Sequence, residues 1–440
     1  MRRSSLSVVA IVFLLVVSGT AGVAQPTGME TDVDAQLSTQ SADSYVVEQG
    51  DVCQEIEPLS TSETVESFYD YRNHDTEPEG LYSSYGTTHL QEDETSILFL
   101  HEGTDGMSLV MVHDQLEGDS DGGYVTFDIV GLPGESEWVV ENDNYSAETN
   151  IDEFHRGDGW AEASWIWRGA RTGGGAIQGG LNDEFGVTIQ PAFNEDARIT
   201  HENHDHPDSD FYDEGELEDW EVLSGDADDP DRTTLPSLEE PVTIRTGTCG
   251  DPSVTYDRTD DGITASIDGA AADDQIALQP PSGTADNATF EAVEVTGVDG
   301  SGTIAFENQQ PADLPASPPG VESLSYLTMT SDEIEDGSAT VTVSVDAALL
   351  EEHGLEPEDV ALYGADGDEW IEGETTVSDE SGATYQFTGE VASLEAVTVA
   401  EQQEPESESE SEFPMPGFGV LGALVMLLLA ALWAVRRTDE

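Results

Sequence analysis

The sequence predicts a mostly β protein with two or three domains of the β-sandwich or jelly-roll type. Short runs rich in β-branched and aromatic residues recur between turn residues, without long helical patterns between them. The 37% hydrophobic residues and 43 glycines among 440 residues give an apolar content of about 47%, which is typical of globular chains. Apolar segments at the two ends add an expected N-terminal signal peptide and one C-terminal hydrophobic helix.

The charge is strongly one-sided, with 94 acidic against 12 basic residues, a net charge of −82 and no lysine. Such repulsion opposes folding in dilute buffer, but the screening length falls from about 10 Å at 0.1 M salt to about 3 Å at 1 M. Acidic excess also occurs in disordered chains; here the apolar content favours a normal core under an acidic surface. By composition, the chain resembles proteins of extremely halophilic archaea. Nucleic acid is not expected as a partner, because phosphate binding needs clustered Lys and Arg.

Residues 1–24 have the order of a secretory signal peptide. Arg2 and Arg3 precede the apolar run Leu6–Val17, and small residues follow at 22–24. The alternative is a retained membrane anchor, although the run is short for a membrane span. Residues 25–44 are polar and lack a strand pattern, so we interpret them as a flexible leader.

Residues 45–250 form the first expected β-sandwich-like domain. Cys53 and Cys249 bracket it and are the two cysteines of the chain. In an exported protein an isolated pair favours a disulfide, and this one would close the domain; two free thiols are the alternative. The predicted strands lie at 96–100, 108–112, 124–130, 137–140, 185–189 and 241–245.

A second β-rich segment covers 251–310, and the Pro-rich stretch 311–320 indicates a break after it. The third segment, 320–400, begins with an alternating strand at 339–345. Asp346 is then expected to cap a short helix from Ala347 to His353 that Gly354 ends. Further strands are predicted at 360–363 and 384–387, with a turn at 364–368.

The chain ends in three parts: an acidic Ser/Glu stalk at 401–413, the tripeptide Pro416, Gly417 and Phe418, and an uncharged run to Val435 followed by two arginines. As a helix, this run would be about 27 Å long, close to the ~30 Å hydrocarbon thickness of a bilayer. Residues 414–440 resemble the PGF-CTERM sorting signal of archaeal surface proteins. The resemblance implies that an archaeosortase recognises the tripeptide, removes the tail and leaves the protein attached to a membrane lipid. A plain single-span tail is the alternative.

The segment 320–400 is similar to the PGF-pre-PGF domain that precedes such signals. The similar features are the strand and short helix described above, the run Pro357–Tyr363 and the Asp-Glu-Trp at 368–370. The chain departs from that pattern at 392–397, where the family has a Gly-Phe-Ser-like turn.

His201, His204 and His206 are the candidate metal ligands, because three of nine histidines fall within six residues among interleaved aspartates. Imidazole suits zinc, copper or nickel. We favour a solvated loop over this metal site, and the acidic loop 226–231 is a weaker candidate for calcium. No other cofactor is expected.

Three further motifs have simpler interpretations. Gly118 to Gly122 reads Gly-x-Ser-x-Gly, but without a strand-turn-helix context we interpret it as an acidic hairpin turn. The glycines at 173–175 and 179–180 are interpreted as a turn-rich loop, since no P-loop lysine follows. Asn144 and Asn287 begin glycosylation sequons, with chance occurrence as the alternative.

The expected function is non-enzymatic. Export, a sorting signal and stacked β domains favour a display protein attached to the outer face of the cytoplasmic membrane, with the archaeosortase, a membrane lipid and S-layer proteins as partners. The alternative is a surface module that binds carbohydrate or metal, and its candidate stacking residues are Trp138, Trp160, Trp165 and Trp167. An anchored hydrolase is the third and least favoured interpretation.

Overall fold

Strands account for nearly all regular structure in the residues that the computed structural model describes. These residues are 44–142, 152–198, 215–260, 262–283, 285, 287–307, 314–315, 317–318, 321–332, 334, 337–379, 383–391 and 394–403. The predicted mostly β class is confirmed. The signal peptide, the stalk and the sorting signal lie outside the described residues.

The first half of the described chain contains two seven-stranded sheets, a two-stranded ribbon (β4 and β5) and one short helix. In chain order the elements are β1 (Tyr45–Gln49), β2 (Val52–Ile56), β3 (Leu59–Ser60), α1 (Val65–Tyr69), β4 (Tyr71–Arg72), β5 (Ser83–Ser84), β6 (Thr95–Gly103), β7 (Gly106–His113), β8 (Gly122–Val130), β9 (Glu137–Glu141), β10 (Glu153–Gly157), β11 (Trp160–Arg168), β12 (Gly173–Gln178), β13 (Gly186–Phe193), a 3-10 turn (Asn194–Asp196), β14 (Asp219–Ser224), β15 (Asp231–Thr234) and β16 (Val242–Thr246). All six predicted strands are present.

We call the two large sheets I and II. Sheet I has the order β10-β11-β8-β13-β16-β1-β2, and sheet II has the order β15-β14-β6-β7-β12-β9 with β3 beside β6. Their inner faces share one core, to which Phe127 contributes from sheet I and Leu98 and Leu109 from sheet II. These two sheets are the first sandwich.

The outer face of sheet II is also covered, unlike that of a two-layer sandwich. Ile97, Phe99 and Val110 point away from the shared core and pack against α1 and neighbouring loops in a separate apolar cluster. The first sandwich therefore has a third layer, formed mainly by residues 59–91. We call it the outer layer.

The second half of the described chain forms another pair of sheets. Its elements are β17 (Ser253–Arg258), β18 (Gly262–Ala270), β19 (Ile276–Leu278), β20 (Ala288–Thr296), β21 (Gly300–Glu307), β22 (Ser323–Asp332), β23 (Ser338–Asp346), α2 (Ala347–His353), a 3-10 turn (Pro357–Asp359), β24 (Val360–Asp366), β25 (Glu369–Glu372), β26 (Thr375–Asp379), β27 (Thr384–Val391) and β28 (Ala396–Glu401). Sheet III has the order β17-β18-β21-β22-β28-β24-β25, and sheet IV has the order β19-β20-β23-β27-β26. One core fills the space between them, and we call the pair the second sandwich.

The Pro-rich stretch does not separate two sandwiches among the described residues. β21 precedes it and β22 follows it, yet the two strands pair directly, with Phe306 opposite Met329. Part of the stretch packs on sheet III, where the indole nitrogen of Trp370 donates to the Pro315 carbonyl at 3.3 Å. Ranges 251–310 and 320–400, distinguished on sequence, thus supply strands to the same two sheets.

Local patterns explain the second sandwich well. On β23, Val341 and Val343 point into the core while the intervening threonine is half-buried. α2 has the predicted bounds, and Gly354 ends it in the left-handed conformation with φ +71°. Asp346 occupies the N-cap position, but its side chain makes no cap hydrogen bond. The predicted turn at 364–368 is shorter than expected, because β24 continues to Asp366.

Candidate functional site: a binding cleft and an inter-sandwich joint

The outer face of sheet I meets the second sandwich. Because Phe127 and Ile129 point into the first core, Asp128 between them faces outward. β17 lies against this surface, and the backbone nitrogen of Tyr256 donates to Thr188 Oγ1 at 2.9 Å. Val130, at the end of β8, belongs to the core of the second sandwich. We call this contact region the joint.

Arg258 is the central charged group of the joint. Its guanidinium donates to Asp128 Oδ2 at 3.0 and 2.8 Å and to Glu162 Oε2 at 2.7 Å. Its Cζ lies 3.9 Å from the centroid of a ring of Trp160. Burial raises the pKa of Asp128, and hydrogen bonds from Arg258 oppose that rise. One arginine on the second sandwich thus pairs with two carboxylates on the first.

Two further contacts extend the joint. Ser282 donates through its backbone nitrogen and its hydroxyl to the Asp158 carboxylate at 2.7 Å. The Tyr256 ring packs so closely on Gly131 that a Cβ there would lie 2.5 Å from it, and Gly131 also has φ +82°. A side chain at this position would therefore force the sandwiches apart.

A cleft opens between the outer layer and the loop after β14, at the opposite face of the first sandwich. Its volume is about 930 Å³, within the range of ~300–1,000 Å³ usual for small-molecule sites. The lining residues are Ser60, Thr61, Ser62, Glu63, Ser67, Phe68, Asp70, Gly86, His89, Gly225, Asp226, Ala227 and Asp228. The cleft is lined mainly by hydroxyl and carboxylate groups.

Local structure around α1 positions one wall of the cleft. Thr64 caps the helix by accepting from the Ser67 backbone nitrogen, and Asp70 ends it at φ +47°. Asp70 then pairs with Arg72. The opposite wall is tied across the cleft, because His89 Nε2 lies 2.9 Å from the carbonyl oxygen of Ala227.

Close backbone packing holds the floor of the cleft. A Cβ on Gly86 would lie 1.8 Å from the carbonyl oxygen of Phe68. The Phe68 ring stacks on His101 at a centroid distance of 4.5 Å. His101 is fully buried, which lowers its pKa, and its Nε2 lies 2.9 Å from Thr61 Oγ1.

A buried hydroxyl network lies beneath this floor. Ser84 Oγ bonds to the Tyr69 carbonyl at 2.5 Å and to Thr87 Oγ1 at 2.6 Å. Gln91 donates to Thr87 Oγ1 at 2.8 Å, and the Ser84 backbone nitrogen donates to Thr172 Oγ1 at 3.0 Å. All five residues are buried. The network fixes the outer layer to sheet II through specific bonds rather than by apolar contact alone.

The predicted disulfide is present. Cys53 and Cys249 are bonded, and they close a loop with a sequence separation of 196. The bond lies near Arg245, whose guanidinium donates to Glu48 at 2.8 Å and to the Thr248 carbonyl at 3.0 Å. Together these contacts hold the end of β16 and the residues that follow it against β1 and β2.

Several predicted sites lie outside the described residues: the histidines 201, 204 and 206, the tripeptide 416–418 and the sequon at Asn144. Asn287, the other sequon residue, is exposed in the turn before β20. No group of three or more His, Cys, Asp or Glu side chains with metal-site geometry occurs among the described residues, and this includes the acidic loop 226–231.

Two of the four candidate stacking tryptophans are core residues. Trp165 is 0% and Trp167 2% exposed, so neither ring is available to a surface ligand. The ring centroids of Trp165 and His113 are 4.8 Å apart. Trp138 is half-buried, and its ring centroid lies 5.2 Å from that of Phe154. Trp160 holds Arg258 at the joint. Trp165 and Trp167 share the inward face of β11, because side chains two residues apart on a strand point to the same side.

Two glycine motifs differ from their sequence interpretation. The loop containing Ser120 is not a hairpin turn, since β7 belongs to sheet II and β8 to sheet I. Ser120 is buried and donates to Asp114 Oδ2 at 2.6 Å. Glycines 173–175 lie in strand β12 rather than in a loop. Gly173 suits its position because a Cβ there would lie 2.7 Å from the Trp167 ring.

No helix within the described ranges is both long and apolar enough to span a membrane. Neither a protein-family model nor a curated protein matches the chain.

Proposed function

We propose that this protein is exported and held at the outer face of the cytoplasmic membrane, where the second sandwich is a spacer that presents the first. The terminal segments support export and anchoring through the archaeosortase route and a membrane lipid. The acidic composition supports a protein that is folded and functional in molar salt. S-layer proteins are its proposed neighbours. The disulfide agrees with an oxidising compartment outside the cytoplasm.

The positions of the joint, the cleft and the chain exit carry this proposal. The described chain leaves the second sandwich after β28, where the Gln403 backbone nitrogen donates to the Tyr363 hydroxyl at 3.0 Å. β28 is four strands away from β17, the strand at the joint, which is about 19 Å at the usual strand spacing. The joint covers sheet I, while the cleft lies beyond sheet II. An anchor following the stalk would thus place the cleft at the far end of the molecule.

Protease accessibility on intact cells tests the display function. The full chain would be expressed in a halophilic archaeal host, with an epitope inserted in the 25–44 leader and cells kept in molar salt. We expect external protease to remove the epitope while a cytoplasmic marker stays intact. Protection of the epitope, or recovery of the protein in the cytosolic fraction, would contradict the proposal.

A second candidate function, ligand binding at the surface, is favoured by the cleft. The candidates on sequence were carbohydrate and metal, with tryptophans as the stacking residues. The cleft in the outer layer replaces the tryptophans as the site to test, because it combines ligand-sized volume with exposed polar side chains.

A further inference from the structure

We propose that the cleft in the outer layer binds a neutral saccharide. This inference rests on the second candidate function, ligand binding, and identifies both the site and the chemical class of the ligand.

The cleft is built on a fixed scaffold. Its floor rests on the apolar outer face of sheet II, and the hydroxyl network of Ser84, Thr87 and Gln91 is buried beneath it. Such a network restricts the outer layer to one arrangement, because breaking it would leave buried polar groups without partners. The backbone beneath the cleft therefore loses little freedom when a ligand binds.

The polar groups in the cleft divide into occupied and free ones. Asp70 is held by Arg72, and Asp226 Oδ1 accepts from the Asp228 backbone nitrogen at 2.9 Å. Four exposed side chains, in contrast, make no hydrogen bond to any part of the chain that the structure describes. These four are Ser62, Glu63, Ser67 and Asp228.

This free set matches the chemistry of a sugar. Each hydroxyl can donate and accept, and each carboxylate accepts from sugar hydroxyls in charge-assisted bonds. The apolar part of the lining is small, because it consists of Ala227 and of Phe68, which is 7% exposed and stacks its ring on His101.

Charge and salt restrict the ligand further. Glu63, Asp70, Asp226 and Asp228 line the cleft, and the described lining contains no arginine. Carboxylates only accept hydrogen bonds, so an anionic ligand finds no donor among these four groups. In molar salt the screening length is about 3 Å, so attraction of a cation is largely lost while short hydrogen bonds persist. A neutral, hydroxyl-rich ligand is favoured.

Titration calorimetry on the intact protein in molar KCl tests the proposal. The probes are maltose, cellobiose, N,N′-diacetylchitobiose and α-1,2-mannobiose, with spermidine as the cationic comparison. We expect saturable binding of at least one disaccharide. Glu63→Gln combined with Asp228→Asn should weaken that binding about tenfold or more, since an amide is a poorer acceptor than a carboxylate.

A matched control carries the same two chemical changes elsewhere. Asp268→Asn with Glu369→Gln alters exposed carboxylates of the second sandwich and should leave binding unchanged. Ser62→Ala with Ser67→Ala removes two hydroxyls without changing charge and should also weaken binding.

Three results would overturn the inference: no saturable heat from any disaccharide, equal weakening in the control, or saturable binding of spermidine alone. The unfolding midpoint of each variant, followed in parallel, separates loss of the cleft groups from loss of the fold. A protein that binds no saccharide could still be displayed on the cell surface, so a negative titration does not change the result of the protease test. Conversely, a protein that is not displayed could still bind saccharide in the titrations.

Discussion

Replacing Arg258 by Met removes the charge at the joint while keeping an unbranched apolar side chain over Trp160. Arg258 is 25% exposed at its side chain, and its partners Asp128 and Glu162 are 12% and 24% exposed. The substitution leaves these two carboxylates near each other without a cation. Removing one member of a buried ion pair costs about 3–5 kcal/mol, and we expect the lower end, about 3 kcal/mol, because water reaches part of this group.

Urea unfolding in molar KCl, followed by tryptophan fluorescence and far-UV circular dichroism, measures this loss. We expect the two signals to coincide in the native protein and to separate in Arg258→Met, because the sandwiches then unfold with less coupling. Adding Asp128→Asn should restore part of the stability, since one of the two facing charges is removed.

Arg232→Met is the matched control for this substitution. Arg232 is 24% exposed and contacts two carboxylates, Glu92 and Glu221, all within the first sandwich. Its loss should destabilise that sandwich without separating the two signals. A change below about 0.5 kcal/mol in Arg258→Met, or equal separation in the control, would refute the role assigned to the joint.

The remaining predictions concern the core, the disulfide and the tail. Burial lowers the pKa of His113 to about 3, so below its unfolded pKa of about 6.5 the unfolded chain takes up a proton that the folded chain does not. The free energy of unfolding should therefore fall by up to about 5 kcal/mol as the pH is lowered from 6.5 to 3. The variant His113→Gln lacks this titration, so a difference in unfolding free energy between native protein and variant that does not change with pH would contradict the prediction. Converting Cys53 and Cys249 to Ser should lower stability by up to about 5 kcal/mol in the chain-entropy model, measured as a lower urea midpoint; an unchanged midpoint would count against it. Alanine at positions 416–418 should leave a tail-bearing product by intact mass, and unaltered processing would argue against the sorting signal.

Much of the fold was predictable because it depends on local patterns. Period-two alternation identified β23, and a glycine after the helical run identified the end of α2. The disulfide was predictable because Cys53 and Cys249 are the two cysteines of the chain and can pair only with each other within it. The error at the Pro-rich stretch has a physical cause. Proline breaks local structure, but it does not prevent strands on either side from pairing.

The candidate sites were less predictable, because they depend on which faces meet. Nothing near Arg258 in the sequence reveals Asp128 and Glu162, which lie 130 and 96 residues away. The cleft likewise joins the loop around α1 to the loop after β14, far apart in the chain. On sequence, Trp165 and Trp167 were candidates for stacking on a ligand, although clustered tryptophans more often belong to a core, and their burial on β11 decides for the core.

By itself the sequence determined the β class, the acidic surface and the cysteine pair, since each depends on composition or on neighbours in the chain. Only the tertiary structure decided that two sandwiches share one joint, that a third layer covers sheet II and that a polar cleft opens there. Those features arise from contacts between residues far apart in sequence, and an amino acid's type does not specify which distant face it will meet.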